Sequence, residues 1–91
     1  MWGDQNAKHI RLRVQELRAA ETLADVSTMP PTRCHGLSEN RKGQFAVDCK
    51  DPFRLVFEPA HKPVPRLEDG GIDLSAVTAV RVLEVVNYHG K

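Results

Sequence analysis

The sequence predicts an α+β fold, with two N-terminal helices packed on a small antiparallel sheet. Three observations predict it: apolar residues three and four apart near the start, strict alternation through the middle, and a β-branched run near the end. Ile10, Val14, Leu17 and Ala24 recur at helical spacing, with Lys8, Arg11, Gln15 and Arg18 on the opposite stripe, so an amphipathic helix is expected over 4–20. Leu23 and Val26 are three apart, which extends the helical reading through a shorter piece at 21–29. Pro30-Pro31 stops it, because proline lacks the amide donor and restrains the residue before it.

Residues 33–37 form a short strand candidate, followed by the polar turn SENRKG. Phe45, Val47 and Cys49 alternate with Ala46 and Asp48, Lys50-Asp51-Pro52 turns the chain, and Phe53, Leu55 and Phe57 alternate with Arg54, Val56 and Glu58. Period two with close turns indicates an antiparallel meander with one face on the helices. PAHKPVPRLEDGGID holds three of the six prolines and two adjacent glycines, and reads as an exposed loop. The last strand has apolar residues on both parities (Val80, Val82 and Val86; Leu83 and Val85), which predicts a central strand covered on both sides. The expected organisation is one domain over 1–91: helical 1–29, meander 33–58, loop 59–76 and central strand 77–88.

At 91 residues, 41% hydrophobic and 27% charged, the chain has the composition of a small globular domain. No stretch approaches the ~20 apolar residues of a membrane span, and MWGDQNAKH has no apolar signal core, so a cytoplasmic protein with no membrane partner is expected. A net charge of +1 gives no global field for nucleic acid, although Lys8, Arg11, Arg13, Arg18, Arg33, Arg41, Lys42 and Arg54 make the first part basic. Cys34 and Cys49 are too few for a disulfide scaffold and are expected as reduced thiols.

No phosphate loop, HExxH, paired CxxC or GxSxG is present, and His9, His35, His61 and His89 lack metal-ligand spacing, so neither metal nor cofactor is expected. What remains is a set of basic and proton-transfer groups that the meander can gather: His35 on the first strand, Arg41 and Lys42 on the turn, Arg54 pointing away from the core, and Asn87, Tyr88 and His89 at the end. RNA cleavage by its own 2′-hydroxyl needs a base, cations on the phosphate and an acid for the leaving oxygen, and histidine and arginine suit those tasks. Each residue also has an ordinary role. Arg54 can simply pair with Glu58 or Asp48, Arg41-Lys42 can be a solvated hairpin tip, and Tyr88 can cap the core with its ring.

RCHGLSENRKGQFAVD (33–48), PFRLVFEP (52–59), DGGIDLSAVTAVRVLEVVNYHGK (69–91) and ELRAAETLADV (16–26) together resemble the RelE/HigB superfamily of toxins, in particular the HigB-like plasmid-maintenance killer proteins. The resemblance implies a ribosome-dependent mRNA endonuclease that cuts in the A site without a metal. It also implies a helix-turn-helix antitoxin as partner, with assembly as a homo-oligomer or a toxin–antitoxin heterotetramer. By the same resemblance His35, Arg54, Tyr88 and His89 are the catalytic set, and Arg41, Lys42 and Asn87 contact RNA or its phosphates. Asn87 stands where the family usually has aspartate, and Ser38 where many members carry lysine. The chain enters partway along the family's first long helix, so the family's first strand is expected to be missing. These departures motivate the alternative, a catalytically impaired toxin-fold protein that acts by binding its antitoxin in operon regulation.

Overall fold

The structure, a computed structural model, describes residues 3–50 and 52–87, with side chains from Asn6 onward. One α-helix, α1 (Gly3–Ala19), packs on a four-stranded antiparallel sheet of β1 (His35–Gly36), β2 (Phe45–Asp48), β3 (Phe53–Pro59) and β4 (Val80–Asn87). The fold is α+β, as the sequence predicts. No strand precedes α1 among the described residues.

The second helix is not there. Within 21–29 only a 3-10 turn forms, Leu23–Asp25. Asp25 Oδ2 accepts from the Thr22 amide at 3.1 Å and from its hydroxyl at 3.2 Å, and Val26 closes the single turn by donating to Leu23 O at 3.2 Å before turning extended. That one turn buries both Leu23 and Val26, which explains their spacing without a helix. The Leu23 amide donates to Val77 O at 2.9 Å and so ties the turn to the segment entering β4.

Sheet order follows chain order, β1-β2-β3-β4. β4 is therefore an edge strand and not the expected central one; most of its residues are exposed, with Val82 at 46% and Leu83 at 38%. The register gives the physical reason. Val56 pairs with Glu84 but Phe57 pairs with Val82, so Leu83 is an extra residue in a β-bulge. The bulge resets the alternation: Val80, Val82 and Val85 all lie on the helix side, although their parities differ. Apolar residues on both parities thus record one face with a phase change, not two covered faces.

The core lies between the sheet and α1. Leu23, Val26, Cys34, Phe45, Val47, Cys49, Leu55, Phe57 and Val77 are buried in one cluster, against which Ile10, Val14 and Leu17 of α1 pack. Phe45 and Phe57 are direct cross-strand partners and stack with ring centroids 6.0 Å apart. Arg13, on the same side of α1, is buried with its Nε donating to Asp48 O at 2.6 Å. Cys34 and Cys49 are buried free thiols.

The loop between β3 and β4 is folded. His61 Nε2 accepts from the amides of Thr78 at 3.0 Å and Ala79 at 3.3 Å, and the Ala60 amide donates to Ala79 O at 2.9 Å, which latches the loop at its base. An isolated bridge Arg66–Ile72 and a 3-10 turn Leu74–Ala76, capped by Asp73, complete it. Among the described residues no helix is long and apolar enough to cross a membrane.

Candidate functional site

Of the site residues named from sequence, His35, Arg41 and Arg54 gather about the sheet face turned away from α1. Directly paired residues share a face, so two rows cross it: His35–Ala46–Val56–Glu84 and Asp48–Arg54–Val86. Ala46 and Val56 are fully buried although they lie outside the core cluster. Arg41 crosses above them. It leaves the 3-10 turn Glu39–Arg41 in the β1–β2 connection, donates from one guanidinium nitrogen to Gln44 Oε1 at 2.8 Å, and reaches over β3 to the Glu84 carboxylate on β4. Arg41 lies on the turn after β1, and that turn folds back over the face rather than standing out as a solvated hairpin tip.

His35 is half-buried, and its Nδ1 lies 2.6 Å from Arg33 O. A carbonyl only accepts, so Nδ1 carries the proton and donates it, which leaves Nε2 of the neutral ring as a proton acceptor. Arg33 and Glu39, on either side of β1, both have left-handed backbone, at φ 49 and 56. Such conformations cost non-glycine residues about 1–3 kcal/mol and persist where the surroundings demand them.

Arg54 projects from β3 beside its cross-strand partner Asp48, Nε to Oδ1 3.8 Å. The other Asp48 oxygen takes Arg33 Nε at 3.3 Å. One half-buried carboxylate thus orients two guanidiniums, and its backbone carbonyl also holds buried Arg13. The His35 and Arg54 Cα atoms are about 12 Å apart, from two strand spacings of about 4.8 Å and two residue rises of about 3.4 Å. A second ion pair across the sheet, Arg81 to Glu58 at 2.8 Å, lies at the other end of the same face.

The chain matches no family model, no curated protein and no solved structure.

Lys42 and Asn87 do not join this face. Lys42 is exposed, and with Arg66, Phe45 and Ile72 it lines a cavity of about 560 Å³ against the β3–β4 loop. Asn87 pairs with Phe53 and so sits on the helix side at the end of β4. Tyr88 and His89 lie outside the described residues. Arg33 and the three carboxylates Asp48, Glu58 and Glu84 were missed as members of the site. The available signal was their parity: Asp48 and Glu58 alternate with the core residues just as Arg54 does. A cleft of about 580 Å³ lies elsewhere, rimmed by Glu16, Glu21 and Asp25, and that charge is wrong for a phosphate.

Proposed function

We propose that the chain is a RelE/HigB-like toxin that cleaves mRNA in the ribosomal A site by acid–base chemistry on the outer sheet face. The observation that carries this reading is the pairing of a fixed imidazole tautomer with a guanidinium cluster. His35 keeps Nε2 as an acceptor, and Arg33 and Arg54 are oriented around Asp48 on the same side of the sheet. In the proposed reaction His35 Nε2 takes the proton of the 2′-hydroxyl and the 2′-oxygen attacks the adjacent phosphorus. The bond to the 5′-oxygen then breaks, leaving a 2′,3′-cyclic phosphate, and the departing oxygen takes a proton from a second acid. Arg54 and Arg33 stabilise the charge that builds on the phosphate. The resemblance places Tyr88 and His89 in the family's C-terminal pair, and in this proposal His89 is the second acid and Tyr88 positions or stacks on a base of the RNA. Cytoplasmic action on ribosome-bound mRNA, and restraint by a helix-turn-helix antitoxin, rest on the same resemblance.

A specific observation favours the alternative, binding without cleavage. Arg33, Arg41, Arg54 and Arg81 each already have a carboxylate partner, so the face resembles a closed ion-pair network as much as an open phosphate site. The purified chain, added to ribosomes paused on a defined mRNA, separates the two. Cuts at the A-site codon that need ribosomes and vanish in Arg54→Ala, with an unchanged melting curve, are the expected result. Equal cutting by Arg54→Ala refutes its assigned role, and no cutting by the folded parent chain selects the binding-only reading.

A further inference from the structure

We infer that β4 is the seam of a two-fold dimer, in which a second copy of this chain adds its own β4 antiparallel to the first. Among the described residues β4 pairs only with β3; its eight residues include no proline or lysine, and its edge protection is limited to the bulge at Leu83 and the charges of Arg81 and Glu84. It also exposes Val82 and Leu83 at that edge. An edge alone accepts many strands; the charges choose a second copy.

The bulge at Leu83 puts Arg81 and Glu84 on one face of the sheet, although they are an odd number of residues apart. Laid antiparallel about a two-fold axis between Val82 and Leu83, two copies set each Arg81 opposite the partner's Glu84 and each Val80 opposite the partner's Val85. The valines fall on the helix side and the charges on the outer side, so both faces match at once. Each charge is already flanked correctly within its own chain, Arg81 by Glu58 and Glu84 by Arg41. The seam therefore continues the alternation as Glu58, Arg81, the partner's Glu84 and the partner's Arg41. On the helix side, a cavity of about 330 Å³ between Val14 and Leu17 of α1 and Val80 and Val82 of β4 gives the added strand's apolar side chains a place to pack. This inference stands on β4 alone and does not depend on cleavage of RNA.

Sedimentation equilibrium of the full chain over a range of concentrations tests it. The parent chain is expected to dimerise. Arg81→Glu and Glu84→Arg should each weaken the dimer by roughly tenfold to a hundredfold, because two cross-strand ion pairs become two like-charge contacts. An equimolar mixture of the two variants should recover a heterodimer, since each new charge then meets its opposite. Both side chains are exposed, and melting curves verify that the variants fold. Val82→Lys, which alters neither ion pair, gives a second probe and should also yield monomer. A parent chain that stays monomeric up to about 1 mM overturns the inference. So do charge variants that dimerise like the parent, or a mixture no tighter than its separate components.

Discussion

Glu84→Gln probes whether the outer face is held closed by its own charges. Arg41 is the long cation lying across the His35 row, and Glu84 is the carboxylate that holds it there. Both side chains are substantially exposed, at 38% and 47%, so their pairing stabilises the fold by about 0–1 kcal/mol. Removing the carboxylate charge should therefore leave the unfolding midpoint almost unchanged. It should also free Arg41 for a phosphate, with a gain in RNA affinity of at most about fivefold, the factor that 1 kcal/mol represents. A sharper signature lies in the salt dependence. One added phosphate contact on a single strand steepens the slope of log K against log salt by about 0.7. Fluorescence anisotropy with a labelled single-stranded RNA, between about 50 and 200 mM salt and at dilutions where the chain is monomeric, measures both quantities. Arg41→Ala on the Glu84→Gln background should cancel the gain. An unchanged slope, or weaker binding, refutes the idea that Glu84 competes with RNA for Arg41.

Three further outcomes follow from buried groups. Arg13→Ala removes the charged donor to Asp48 O and leaves that carbonyl unpaired, so it should cost about 2–3 kcal/mol in urea unfolding and roughly 10–20 °C in Tm; a parental midpoint would show that the bond contributes nothing. Burial pushes the Cys34 and Cys49 thiols from 9.0 up to about 11, with Asp48 raising and Arg13 lowering Cys49 as smaller influences. Because the folded state keeps these protons after the unfolded state has lost them, stability should fall as pH rises from about 9 towards 11. At pH 8 only about one thiol in a thousand is ionised in the folded chain, so iodoacetamide should label it far more slowly than the urea-unfolded chain; equal rates would contradict the burial.

What was legible in the sequence is what local pattern controls. Phe53, Leu55 and Phe57 alternate with Arg54 and Glu58, and that alone fixes both the core face of β3 and the outward direction of Arg54. The rest depends on contacts that pattern does not carry. The 21–29 segment has helical spacing in Leu23 and Val26, but an Asp25–Thr22 cap and a tie to Val77 satisfy it in one turn. In β4 a single added residue, Leu83, turned one apolar face into an apparent pair of faces. Arg13 belongs by residue type with the solvated stripe of α1, yet it is buried because the Asp48 carbonyl waits across the core. The candidate site was legible as cations and histidine, not as the carboxylates that position them, because Glu84 and Arg41 meet only through the tertiary fold.

The latch at the base of the β3–β4 loop also sets an order of assembly. β1, β2 and β3 follow one another through short turns, whereas β4 must close a long excursion before it can pair, at an entropic cost that grows with loop length. His61, Ala60, Thr78 and Ala79 join the two ends of that excursion beside the Pro59–Val80 pair. Pairing is then expected to zip from there, through the bulge, towards Arg54–Val86 and Phe53–Asn87. The end of β4 that runs beside Arg54 is then expected to close last and fray first, so amide exchange should quicken along the strand in that direction.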